Sequence, residues 1–281
     1  MRIRNSECVM RNKKEKTEYD PRPIGVFDSG FGGASFLRNA LLELPSERFI
    51  YYGDNKNAPY GDRTEEEILL LAENAAEFLM EKGVKALVVA CNTATSAAIN
   101  ALRERLSVPV VSVEPAIKPA CELPGDGKVL MLATVATTRL SRYRALQNRM
   151  PDPDRVINVG CPGIVERIER GITDEAAFDD ILEKRLADCE GMRIDAIVLG
   201  CTHFPLIAPA FRRYAGLHFT GEARLFDGNE GTARQLRRVL EENSLLASKD
   251  EKPDPRVCFF TSGDPEICEG IFRRLVDIPI Y

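Results

Sequence analysis

VVACNTAT (residues 88–95) and IVLGCTHF (residues 197–204) are the two stretches from which the fold can be read. Each is a short apolar run that ends at a cysteine, Cys91 or Cys201, and passes into a polar segment containing threonine. ALVVA (86–90) and DAIVLG (195–200) read as strands that are mostly apolar, as in a parallel sheet covered on both faces. In open sheets of that kind, ligands bind outside the carboxyl ends of the strands, where both cysteines stand. A lone cysteine in such a place is most simply a packed core residue. Two in the same setting, 110 residues apart, suggest two thiols facing one cavity from opposite sides. Inverting a stereocentre requires acid/base groups on both faces of one carbon.

Working outward, strand and helix alternate, which predicts an α/β fold with parallel sheets flanked by helices. IGVF (24–27) runs into the Gly-rich turn DSGFGG (28–33) and a helix through Leu42. Thr64 and Glu67 form a capping box for a helix with apolar positions at Ile68, Leu71, Ala72, Ala75, Phe78 and Leu79, ending at Gly83. VPVVSV (108–113) and KVLMLA (128–133) are further strands, a helix is expected near 138–149, and DEAAFDDILEKRLADCEG (174–191) is expected as one helix. Asp28 precedes Cys91 by 63 residues and Thr134 precedes Cys201 by 67, so each half reads strand, polar turn, helix, intervening units, strand, cysteine. Two quasi-equivalent domains follow, with the active site in the cleft between them. LFDGNEGTA (225–233) ends another strand at the rim and suggests that the chain returns to the first domain. The expected division is a tail (1–22), a discontinuous first domain (23–113 plus 226–281) and a second domain (114–225).

With 281 residues, the chain is long enough for two cores. The formal charge of −5 and scattered basic residues argue against nucleic acid as a partner. No stretch approaches the ~20 apolar residues of a membrane span, and the charged start lacks a signal-peptide centre, so a cytoplasmic protein is expected. The cysteines at 8, 91, 121, 161, 189, 201, 258 and 268 show no zinc-knuckle spacing, and His203 and His218 are the only histidines, so no metal is expected. A cytosolic chain of this size does not need disulfides.

At the residues themselves, Asn92 and Thr93 would open a helix whose N-terminus favours a thiolate or a substrate carboxylate. His203 could protonate or orient substrate or stabilise the Cys201 thiolate, or it could be a histidine bonded to backbone. Pro205 and Pro209 keep it near the rim. DSGFGG resembles a phosphate-cradling loop but lacks the Lys-Ser/Thr of a P-loop. Asp28 could cap the next helix or serve as a carboxylate beside Cys91; spacing leaves both open.

DSGFGG, GDNKNAPYG, ACNTAT, VEPAIKPA and LGCTHFP, in this order, resemble the cofactor-independent glutamate racemases of the aspartate/glutamate racemase family. The resemblance runs from about Ile24 to the C-terminal region. It implies an isomerase with no cofactor that interconverts L- and D-glutamate for peptidoglycan and cell-wall synthesis, commonly as a homodimer. By that resemblance Cys91 removes the α-proton of D-glutamate and Cys201 that of L-glutamate, with Asp28 supporting Cys91, and His203 and Glu169 supporting Cys201. Ser29, Tyr60, Gly61, Asn92, Thr93, Thr134, Thr138 and Thr202, together with Asp28, match substrate-contacting positions. Asn55 stands where relatives often carry Thr, and Phe204 where many carry Tyr. Rival readings are a racemase for another acidic substrate such as aspartate, a Cys201–His203 hydrolase, and a non-catalytic binding protein. The hydrolase leaves Cys91 and the repeat unexplained.

Overall fold

Glycine-rich turns and apolar runs set the strand ends in the computed structural model, which describes residues 19–277 and the backbone of Ile3–Arg4. The strands are β1 (Ile3–Arg4), β2 (Ile24–Asp28), β3 (Phe49–Gly53), β4 (Ala86–Val89), β5 (Val110–Ser112), β6 (Lys128–Ala133), β7 (Val156–Gly160), β8 (Ile194–Leu199), β9 (Arg224–Phe226) and β10 (Val257–Thr261). They form two parallel sheets, ordered β1-β10-β3-β2-β4-β5 and β7-β6-β8-β9. The run β3-β2-β4-β5 in one sheet matches β7-β6-β8-β9 in the other, strand for strand. Asp28 therefore ends β2 and Thr134 directly follows its equivalent β6, with Cys91 and Cys201 just beyond their equivalent neighbours β4 and β8. The α/β architecture with parallel sheets is as the apolar runs predict. Sequence reading left β7 and β10 unassigned, because VINVG is only partly buried and VCFFT follows a long loop.

The helices are α1 (Ala34–Glu43), α2 (Glu65–Glu81), α3 (Asn92–Arg105), α4 (Ile117–Cys121), α5 (Val135–Arg139), α6 (Ser141–Gln147), α7 (Ile164–Glu169), α8 (Asp179–Leu186), α9 (Ala208–His218), α10 (Asn229–Glu242) and α11 (Pro265–Asp277). The Thr64 capping box forms: Glu67 N–H donates to Thr64 Oγ1 at 3.2 Å and Thr64 N–H to Glu67 Oε2 at 2.9 Å. Gly83, with φ 72°, follows the end of α2. Two predicted helices are broken. The one near 138–149 splits into α5 and α6 at Leu140, whose ψ of 141° is extended. The one over 174–191 becomes a 3₁₀ turn, α8 and a second 3₁₀ turn, with Asp174 capping the first. α3 begins at Asn92, as its expected opening at Asn92 and Thr93 requires, with Cys91 as its N-cap.

One apolar cluster draws side chains from both sheets, with Phe31, Phe36 and Leu37 beside Cys201, Phe204 and Leu206, while further clusters cover the other face of each sheet. α10 packs on α1, so the chain returns to the first sheet before β10. Lys85 and Glu47 are both almost wholly buried and pair at 2.6 Å, and Lys85 Nζ also donates to the Asp20 carbonyl at 2.7 Å. Burial pushes the Lys85 ammonium below its usual range against the pull of Glu47. The tail expected over 1–22 lies largely outside the described residues, but Ile3–Arg4 pairs with Val257–Cys258. Cys258 is disulfide-bonded, which corrects the expectation that the chain carries no disulfide; the cross-link sits beside the edge strand β1. Cys91, Cys121, Cys161, Cys189, Cys201 and Cys268 are free thiols. Among the described residues, no helix is long and apolar enough to cross a membrane, and no His/Cys/Asp/Glu cluster suits a metal ion.

Candidate active site

Cys91 leaves β4 with extended backbone and caps α3: the Ala94 N–H donates to its sulfur at 3.4 Å. Its thiol donates to Ser29 Oγ at 3.4 Å, and the residue is 4 % exposed. Burial, reinforced by the Asp28 charge and by Cys201, pushes the Cys91 thiol up to about 12, against the pull of Ser29 and the α3 N–H group. Burial thus favours the protonated form of this sulfur.

Cys201, 6 % exposed, has a different neighbour. His203 Nδ1 lies 3.8 Å from its sulfur, and Nε2 lies 2.6 Å from Glu169 Oε1. Burial by itself would drive the imidazole towards neutrality. Its hydrogen bonds to Cys201 and Glu169, with the Glu169 charge, instead hold it well above its ordinary value. The protonated imidazole is thus favoured where negative charge on Cys201 would develop.

The DSGFGG turn does not cradle a phosphate; it lets the second half approach. A Cβ on Gly30 would sit 2.2 Å from Glu169 Oε1, and one on Gly32 would sit 2.3 Å from His203 Nδ1 and 2.6 Å from Thr202 Oγ1. Phe31 N–H donates to Glu169 Oε1 at 2.7 Å, and Ser35 Oγ donates to the Thr202 carbonyl at 2.7 Å. Asp28 accepts from Gly30 N–H at 2.8 Å and from Thr202 Oγ1 at 2.9 Å. Its carboxylate therefore binds across to the second half rather than to Cys91, whose thiol it reaches only through its charge. Burial raises the Asp28 carboxyl, opposed by His203 and its two hydrogen bonds.

The remaining wall is built from hydroxyls. Thr93, Thr134 and Thr137 form a buried triangle, with Oγ1 separations of 3.0, 3.1 and 3.0 Å. Thr137 escaped the sequence reading; its place three residues after Thr134 in the first turn of α5 was the available signal. Thr138, which was expected at the site, donates to the Val135 carbonyl of its own helix at 2.9 Å and stands apart from the triangle. Tyr60 is buried with its hydroxyl on Asp54 Oδ2 at 2.6 Å. Gly61 faces Thr134, since a Cβ there would meet Thr134 Cβ at 2.9 Å. Asn92 Oδ1 is buried without a hydrogen-bond partner, a condition that few native acceptors tolerate unless something else binds there. Ser29, Asn92, Thr93, Thr134 and Thr202 are all buried at these strand ends. A surface cleft of about 520 Å³ lies between Gly61–Arg63 and Val135–Leu140, and neither Cys91 nor Cys201 lines it.

Residues 36–236 match the family model described as Asp/Glu/Hydantoin racemase. The chain is 42% identical over 257 residues to a glutamate racemase of Clostridium perfringens, covering 91% of this chain and 96% of that one. It is similar to the Francisella tularensis glutamate racemase solved with D-glutamate (29% identity, TM-score 0.76, 92% of this chain and 94% of that one). It is also similar to the Escherichia coli glutamate racemase solved with L-glutamate and the activator UDP-MurNAc-Ala (31% identity, TM-score 0.73, 91% and 96%).

Proposed function

Because this chain belongs to the Asp/Glu/Hydantoin racemase family, we propose that it is a glutamate racemase working through two thiols, with Cys91 and Cys201 on opposite faces of the α-carbon. The observation that carries this reading is the pair of buried cysteines at equivalent strand ends, each with its own polar support. Relatives solved with D-glutamate and with L-glutamate share the fold, which supports one site for both enantiomers.

Burial favours the thiol form of Cys91, while the Glu169 and Cys201 hydrogen bonds favour a proton on His203 beside Cys201. That state suits L-glutamate: Cys201 as thiolate removes the α-proton, the C–H electron pair passes towards the carboxylate, and Cys91 delivers its proton to the opposite face. D-glutamate requires the reverse, with Cys91 as base. The developing enediolate needs preorganised donors in a dry cleft. Thr93, Thr134, Thr137, Ser29 and the first N–H groups of α3 fill that need, with Thr202 holding the Asp28 carboxylate behind them. Asn92 Oδ1, lacking a protein partner, suits the substrate ammonium. A thiolate is large and weakly hydrated, so it enters such a cleft at less cost than a carboxylate.

The same reading assigns residues 23–113 plus 226–281 to one domain and 114–225 to the other, which part so that glutamate reaches the thiols. It also places the chain in D-glutamate supply for peptidoglycan, as a cytoplasmic homodimer without a cofactor. The test is turnover of both enantiomers by Cys91→Ser and Cys201→Ser. Each variant is expected to lose at least about a thousandfold in kcat, the scale of removing a general acid or base. Substantial racemisation by Cys91→Ser would instead overturn the two-thiol reading.

A further inference from the structure

Glu169 Oε2 points away from His203, and its partner there is Asn55, whose Nδ2 donates to it at 2.8 Å. Asn55 sits just beyond β3, at the start of the NKNAPYG loop that also carries Tyr60 and Gly61. An amide can face either way, so something must fix it. Thr261, the last residue of β10, does so. Gly263 N–H donates to Thr261 Oγ1 at 3.0 Å, which leaves the hydroxyl hydrogen for Asn55 Oδ1 at 2.7 Å. With Oδ1 engaged, Nδ2 must turn to Glu169. Donors thus lead from the Gly263 amide through Thr261 and Asn55 into the Glu169 carboxylate, which accepts on its other oxygen from His203 Nε2–H, and Nδ1 of the same imidazole lies against the Cys201 sulfur.

We propose that Asn55 is a positioning residue for the Cys201 base, with its amide orientation set by Thr261. The proposal rests on the two-thiol reading. Asn55 touches no reacting atom; it keeps the Glu169 carboxylate bridging Phe31 N–H and His203 rather than turning out of the cleft. This gives the C-terminal strand, which is remote in sequence from every motif, a part in the chemistry. The charged and titratable groups around the chain are few. His203 faces Cys201, Glu169 and the Asp28 carboxylate, while Glu169 is also near the Tyr51 hydroxyl and the Cys268 thiol of α11, which itself bonds to Thr261.

The test compares Asn55→Ala, Thr261→Val and Thr261→Ser by steady-state kinetics in both directions and by NMR titration of His203. His203 and His218 are the only histidines, so their signals are readily assigned. Asn55→Ala is expected to lower kcat by about 10- to 100-fold, the scale of a misplaced catalytic group, with KM within about threefold. Its His203 titration should fall towards the ordinary imidazole range. Thr261→Val should move both readouts the same way by less, and Thr261→Ser should restore them. Wild-type kcat and an unmoved His203 titration in Asn55→Ala would overturn the proposal. So would a Thr261→Ser variant as impaired as Thr261→Val, since the methyl rather than the hydroxyl would then matter. If Cys201→Ser, run in parallel, kept wild-type turnover, the two-thiol reading would fall, while the His203 titration would still decide whether Asn55 holds Glu169.

Discussion

Cys91 and His203 share a consequence of burial and neighbours: each favours its protonated form when folded. In the unfolded chain the thiol titrates near 9.0 and the imidazole near 6.5. The stability that His203 contributes is complete below pH 6.5 and fades as pH rises through its higher folded value. The Cys91 contribution is complete below pH 9.0 and is lost between there and about 12. Both terms weaken the fold on the alkaline side, and buried Cys161, also pushed up to about 12, adds to them with the same sign. Urea midpoints should therefore drop between pH 8 and 10.5, and Cys91→Ala should show a shallower drop than wild type; superimposable curves would contradict the burial argument. The thiols themselves were legible because apolar strand runs announce the rim. The Asp28–Thr202 bond was not, since it joins residues 174 apart whose meeting depends on how the halves face.

At the scale of elements, local chemistry was read well wherever it was local. The α2 capping box needed only four adjacent residues, and Thr64→Ala should cost about 1 kcal/mol in unfolding free energy while leaving turnover intact. A loss of activity there would mean that α2 communicates with the site. The helix spanning α5 and α6 was misread because no side-chain pattern marks the extended Leu140 that divides it. DSGFGG shows the opposite limit: its glycines were visible, but their purpose lay in partners from the other half. Gly30→Ala and Gly32→Ala should cut kcat/KM by about a hundredfold or more, because the new methyl displaces Glu169 or His203 by a substantial fraction of an ångström. Near-normal kinetics in both would show that the two halves need not approach this closely.

For the whole molecule, one core joins the two sheets, and a buried ion pair ties β4 to the loop before β3. Lys85→Met strands the Glu47 carboxylate and should destabilise by about 3–5 kcal/mol, with much of that regained in the Lys85→Met/Glu47→Gln double variant. No recovery in the double variant would assign the loss to packing instead. The duplicated strand order was legible from two cysteines and two strand-ending polar residues. The cross-half hydroxyl triangle and the β10 support were not, because they depend on contacts between segments far apart in sequence. The central claim is that one thiol removes a proton from one face while the other returns a different proton to the opposite face. Its most direct test is the isotopic content of both enantiomers at early conversion in deuterated water, starting separately from L- and D-glutamate. The two-thiol account predicts deuterium at the α-carbon of the product enantiomer and protium in the recovered substrate. Deuterium entering the recovered substrate as fast as product forms, or product retaining its original α-hydrogen, would contradict it.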